Sequence, residues 1–289
     1  MSKKLLASLL AACASLVAAS SALAAPSGEF SVFAQCPTGN SSASGCIYAQ
    51  TEAGEFVVGK KKVPITKAIT LQGGIQVEDA ETGEAKLIAA SNGETLSKAS
   101  QNVPGGLAGL VNCTEISNFV ERLLCEATLE SGVTGVTATT ELAAPASSVK
   151  LNVSDLLFEH GTALKLPVKV HLENPFLGSE CYVGSNSSPV ELELTTGATS
   201  PSPPNTSIKG TLGELSAGGE GSIAIFHKNS LVDNSFAAPG VSGCGGLLSF
   251  LIDPIVNDEL GTPSAAGHNT AILTGTLEQA GVGAVVEHS

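Results

Sequence analysis

Alternation of apolar and polar positions is the strongest signal in this chain, and it reads as strand. Leu164, Leu166, Val168, Val170 and Leu172 alternate with Lys165, Pro167, Lys169, His171 and Glu173. A period of two marks a strand with one buried and one solvated face. The same alternation runs through Ile69, Leu71, Gly73, Ile75 and Val77, and through Val190, Leu192 and Leu194. Val133 to Leu142, Ser222 to His227 and Asn269 to Leu277 are rich in Thr, Val and Ile and read as further strands. Gly-, Asn- and Ser-rich turns separate them, and TSPSPPNT is an exposed loop. Helical signals are confined to residues 117–131, the turn SDLLFEHG capped by Ser154, and residues 246–260. The last begins in SGCGGLLSFLIDP, which reads as a pair of buried helical turns. Asp253 would cap, and Pro254 open, a second short helix ending at Gly261.

The strand blocks recur in order. VFAQCP (32–37) is matched by VHLENP (170–175), and FVVGKKKVPI (56–65) by CYVGSNSSPV (181–190). LSKASQNVPG (96–105) is matched by LVDNSFAAPG (231–240), and each half then gives an apolar helix and a Thr-rich strand. The expected fold is therefore mainly β: antiparallel sandwich-like units in two pseudo-repeated halves, with a few short helices. A single large antiparallel barrel or sandwich is the alternative. The halves would span 25–143 and 149–280, with 281–289 a disordered tail. Pro64 and Pro189 should open equivalent strands at an end or edge.

The N-terminus changes the picture from fold to compartment. Lys3 and Lys4, an apolar run from Leu5 to Val17, and Ala22-Leu23-Ala24 together read as a signal peptide over 1–24, cleaved ahead of Ala25. The alternative is a lipid anchor through Cys13, which ends the lipobox-like Leu10-Ala11-Ala12-Cys13. No later segment reaches the ~20 consecutive apolar residues of a membrane helix, so the mature chain should have no transmembrane segment. The net charge of −13, with Arg122 the only arginine, argues against a nucleic-acid partner. With no Trp and two Tyr, the chain lacks the ring platforms of sugar-binding modules and the aromatic girdles of outer-membrane barrels.

Beyond Cys13 the chain keeps Cys36, Cys46, Cys113, Cys125, Cys181 and Cys244, an even set that in an exported protein reads as disulfides. Cys36 and Cys46 flank the flexible loop PTGNSSASG. A continuous helix from 113 to 125 would hold those two cysteines ~18 Å apart, against the ~7 Å limit of a bridge. Their pairing requires the helix to start near Ser117. Cys181 is then left for Cys244. A thiolate nucleophile at Cys244 would need a free cysteine and a nearby base, and the sequence supplies neither.

From GEFVVGKKKVPI to AGHNTAILTG, with NPFLGSECYVGSNSSPVELELTTG at its centre, the chain resembles a family of secreted proteins from high-GC Gram-positive soil bacteria. That family has no established activity. The resemblance implies export and carries over no functional residues.

Catalytic and metal signatures are weak. Gly240-Val241-Ser242-Gly243 fails the nucleophile-elbow pattern at its second glycine. His171 and Glu173 project together from the polar face of one strand, where a solvated surface is the simpler reading. His268 in AGHNT is placed to hydrogen-bond local backbone. VEDAETGEA, with Glu78, Asp79, Glu81 and Glu84, lacks the alternation of a calcium loop and reads as a charged hairpin. Gly59-Lys60-Lys61-Lys62 lacks the helix that a phosphate loop needs. No catalytic, cofactor-binding or metal-ligating residue is assigned, and no cofactor is expected.

The expectation is a secreted, non-catalytic extracellular or cell-envelope protein, a structural or binding module whose partner is unknown. The alternatives are an extracellular hydrolase assembled from distant loops and a carrier of an apolar ligand.

Overall fold

The computed structural model describes residues 25–289 except 112, 116, 117, 120, 121, 124, 125 and 127–133. The expected signal peptide and most of the expected helix 117–131 lie outside the described residues. Fourteen strands are described: β1 Gly45–Val58, β2 Lys61–Pro64, β3 Ile69–Asp79, β4 Glu84–Ile88, β5 Gln101–Asn102, β6 Thr137–Leu142 and β7 Lys150–Asn152. They continue with β8 Leu164–Glu173, β9 Tyr182–Val183, β10 Val190–Leu194, β11 Glu214–Gly218, β12 Ile223–Asp233, β13 Val241–Ser242 and β14 Thr270–Gly281. The α-helices fully described are α1 Val153–Phe158, α2 Ser249–Leu260 and α3 Val282–Glu287.

All fourteen strands belong to one antiparallel sheet, along the path β11-β12-β14-β1-β3-β4-β7-β8-β6-β5. The mainly β, antiparallel class with few short helices is what the pattern of residues specified. The sheet does not close into a barrel. Its curl is pinned by Thr195 and Val232, each donating its N–H to the other's carbonyl at 2.9 Å.

The two halves interlock. β14 covers one edge of β1, and β2 followed by β3 covers the other. Likewise β6 followed by β7 lies on one edge of β8, and β9 followed by β10 on the other. The last strand, β14, thus pairs with the first, β1, while β6 and β7 both pair with β8. Pro167, which has no N–H to give, falls where the neighbour of β8 changes from β6 to β7.

Particular expectations shift against this architecture. β8 begins and ends where the alternation begins and ends, with Leu164, Leu166, Val168 and Leu172 buried. Leu96 bridges β3 at Leu71, and Val232 of β12 bridges Thr195 just beyond β10. VFAQCP instead lies in and after the 3-10 helix Gly28–Phe33, whereas VHLENP ends β8. Pro64 closes β2 and Pro189 immediately precedes β10, so the two flank the corresponding break on opposite sides. The N-cap of α1 is Asn152, not Ser154, because the Asn152 side chain is the one that accepts the Asp155 N–H.

The expected disordered tail is ordered: residues 282–287 form α3, because Val285 has a pocket to fill. It joins Phe30, Phe33, Cys36, Cys46, Ile223 and Ala280 in a small core on the outer face of the sheet. Phe30 stacks on His288 at 4.1 Å, and the N–H of Ser27 donates to the His288 carbonyl. The main core fills the inside of the curl, around Ile47, Leu87, Val149, Leu192, Leu194 and Leu277.

Candidate functional site

The disulfides frame the molecule. Cys36 is bonded to Cys46, tying the N-terminal 3-10 helix to the start of β1, and Cys181 is bonded to Cys244. Cys113 is disulfide-bonded as well; Cys125, its expected partner, lies outside the described residues. Cys244 is therefore no nucleophile. Asp253 does not cap a second helix, since α2 runs unbroken through Pro254. Its carboxylate turns back instead, accepting the N–H of Cys244 at 2.8 Å and of Gly243 at 3.1 Å.

The expectation of buried turns after Cys244 is overturned at their tip. A helix meets a sheet with one stripe, and in α2 that stripe is Ile252, Ile255, Val256 and Leu260. Leu247 and Phe250 stand outside it, 98 % and 71 % exposed.

His171 and Glu173 do project together. Glu173 is occupied, accepting hydroxyl hydrogens from Thr139 at 2.8 Å, Thr137 at 3.1 Å and Ser100 at 3.2 Å. These hydroxyls, Thr139 foremost, hold its carboxyl below the usual glutamate range. The His171 ring stacks on Tyr182 at 4.5 Å, and its Nδ1 lies 3.9 Å from Glu173. Its Nε2 is buried without a hydrogen-bond partner. This is a packed, polar strand face whose hydroxyls are engaged with Glu173. Near the C-terminal strand, Asn269 rather than His268 organises the loops: its amide donates to the carbonyls of Phe236 and Ala265 and accepts the N–H of Gly59.

One carboxylate of the acidic hairpin is neutralised locally. Glu78 lies 2.8 Å from both Lys86 and Lys150, and those ammonium groups hold its carboxyl low. Lys60 donates to the Asp258 carbonyl at the C-terminal end of α2, where a cation meets the negative end of the helix. Among the described residues no three His, Cys, Asp or Glu side chains gather as metal ligands would.

A further pair was not foreseen. Ser216 Oγ and His227 Nε2 lie 2.9 Å apart on the exposed hairpin of β11 and β12. Glu278, on neighbouring β14, senses the histidine only as a charge, and burial raises its carboxyl against that pull. A hydrolytic triad needs the acid to hold and orient the imidazole. This pair is a cross-strand surface hydrogen bond.

Concave space lies elsewhere, at the end of the sheet where β12, β14, β1, β3 and β4 meet α1. An open cleft of about 560 Å³ is lined by Gly45, Ile75, Ala85, Val153, Ala224, Gln279 and Gly281, among others, and none of its lining residues is charged. It exists because small residues stand where the strands end: Gly45 pairs with Gly281 across β1 and β14, and Ala224 pairs with Gln279 across β12 and β14. A Cβ added at Gly281 would meet nothing within 4 Å.

Ile75, Val153 and Gln279 also line a cavity of about 60 Å³ inside the curl, walled by Leu71, Leu151, Leu156, Leu164 and Leu277. A second cavity of about 70 Å³ lies among Phe56, Val168, Leu172, Val183, Leu192 and Phe236. Gln101 borders this one, but its side chain is already bonded to the backbone of Thr66, Lys67 and Ala99. The second cavity shares no lining residue with the cleft and reads as a packing void.

No protein-family model matches the chain, and no curated protein or solved structure matches it. Two described disulfides, and no described helix long and apolar enough to cross a membrane, are consistent with an extracellular protein.

Proposed function

We propose that this is a secreted, non-catalytic binding protein that holds a small, largely apolar ligand in the cleft and the cavity behind it. The observation that carries this reading is the uncharged cleft sharing Ile75, Val153 and Gln279 with an apolar interior cavity. The cleft's volume, about 560 Å³, falls within the range of small-molecule sites. The signal-peptide pattern and the disulfides support export to the compartment where such a protein would meet its ligand.

The test is titration with N-phenyl-1-naphthylamine, a neutral fluorophore that brightens in apolar surroundings. Wild type should bind it saturably. Gly281→Trp should abolish binding while keeping the wild-type melting temperature, since Gly281 has an ordinary φ of −68° and free space around it. Undiminished binding by Gly281→Trp would overturn the site.

A further inference from the structure

We infer that the cleft selects an uncharged amphiphile, whose carbonyl or hydroxyl head is held by the Gln279 side chain while its apolar end enters the cavity. This rests on the binding function proposed above and assigns it a ligand class.

Gln279 carries the argument by its place on β14. Leu273, Gly275, Leu277 and Gln279 follow one another at every second residue and line the cavity, so Gln279 belongs to the inward face. The alternate residue Ala280 packs into the outer core instead. Across the sheet Gln279 is paired with Ile47 of β1 and Ala224 of β12, and it borders both the cleft and the cavity. An amide thus sits at the neck between the two spaces, flanked by apolar neighbours. It makes no side-chain hydrogen bond to a described residue. A glutamine presents two donors and an acceptor, which suit a carbonyl or a hydroxyl equally.

Charge sets the other half of the specificity. The chain holds 27 acidic and 14 basic residues, yet none of them lines the cleft. A carboxylate or ammonium head would lose its water there and meet no counter-charge, whereas a neutral head needs only the hydrogen bond that Gln279 supplies. The cavity holds about 60 Å³, the room of roughly two water molecules, so only the end of an alkyl chain fits inside. The remainder would lie along the cleft over Ile75, Ala85 and Ala224.

The test displaces the bound fluorophore with four six-carbon probes: 1-hexanol, hexanamide, hexanoate and hexylammonium. Wild type should bind the two neutral probes at least about tenfold more tightly than either ion. Gln279→Leu should weaken hexanol and hexanamide by about fivefold relative to the fluorophore, the worth of one neutral hydrogen bond. Gln279→Glu, nearly the same size, should move the preference to hexylammonium. If hexanoate matches hexanol on wild type, or neither Gln279 variant changes the order, the ligand class is wrong and the binding site stands. If wild type binds no fluorophore, the proposed function falls and this inference with it.

Discussion

Asp253 accepts the backbone N–H of Cys244 at 2.8 Å, so the acid in the second turn of α2 holds the loop that the Cys181–Cys244 disulfide anchors. A second bond from Gly243 to the same carboxylate makes the attachment bidentate. Replacing Asp253 with Ala leaves two backbone donors without a charged acceptor. It should cost about 1–3 kcal/mol, read as a lower urea midpoint. Asp253→Asn, which keeps one acceptor oxygen, should recover part of that. An unchanged midpoint in Asp253→Ala would show that the disulfide alone fixes the loop.

The Glu173 carboxyl gives a signed pH dependence. Thr139 is the first of the hydroxyls that lower it below its ordinary 4.5, so the folded chain prefers the ionised form more than the unfolded chain does. That contribution is complete above the ordinary value and disappears as pH falls through the lowered one. Thr139→Val should move the Glu173 titration, followed by carbon NMR of its carboxyl, back toward 4.5. The acid side of the stability profile should flatten with it. An unmoved titration would assign the shift to Thr137 and Ser100.

Removing the Cys36–Cys46 bridge, as Cys36→Ala with Cys46→Ala, should release the N-terminal segment before the rest of the fold. The bridge closes a loop between residues ten apart, for which chain entropy gives about 2–3 kcal/mol. The segment would then be held by the packing of Phe30 and Phe33 on Ile223 and Val285 and by the backbone bonds of Ser27 to His288 and Ser91 to Gln35. Limited proteolysis should cut first between residues 25 and 44, and a core resistant from β1 onward should remain. Simultaneous digestion of the whole chain would mean that the outer core is integral to the sheet.

The sequence made β8 legible to the residue because one of its faces is apolar core and the other carries polar side chains, which are themselves largely packed. β1 was not legible, for an equally physical reason. Ile47 packs inside the curl while Cys46 packs in the outer core, so both faces of its first turn of pleat are apolar. Its register with β14 then slips between Thr51 and Ala53, which breaks any period of two. The exposed Leu247 and Phe250 misled in the opposite direction, since an apolar run does not say which of its residues the sheet has room for. The cleft left no trace at all. It is a shortage of bulk contributed by glycines, alanines and serines from well-separated segments, and small residues in turns look alike whether they face solvent or a ligand. Gln279 is the signal the sequence does carry, a polar residue that continues the Leu273, Leu277 face of its strand.

The pairing of β1 with β14 fixes when this protein can be finished. β1 is the first long strand to be made, and its partner along one whole edge, β14, is nearly the last segment of the chain. Until that segment arrives, a long edge of β1 stands open, and pairings between remote segments form slowly. The pairs β3–β4, β6–β8 and β8–β10 need nothing from that segment, so the sheet can assemble from its far side and is sealed along β1 last.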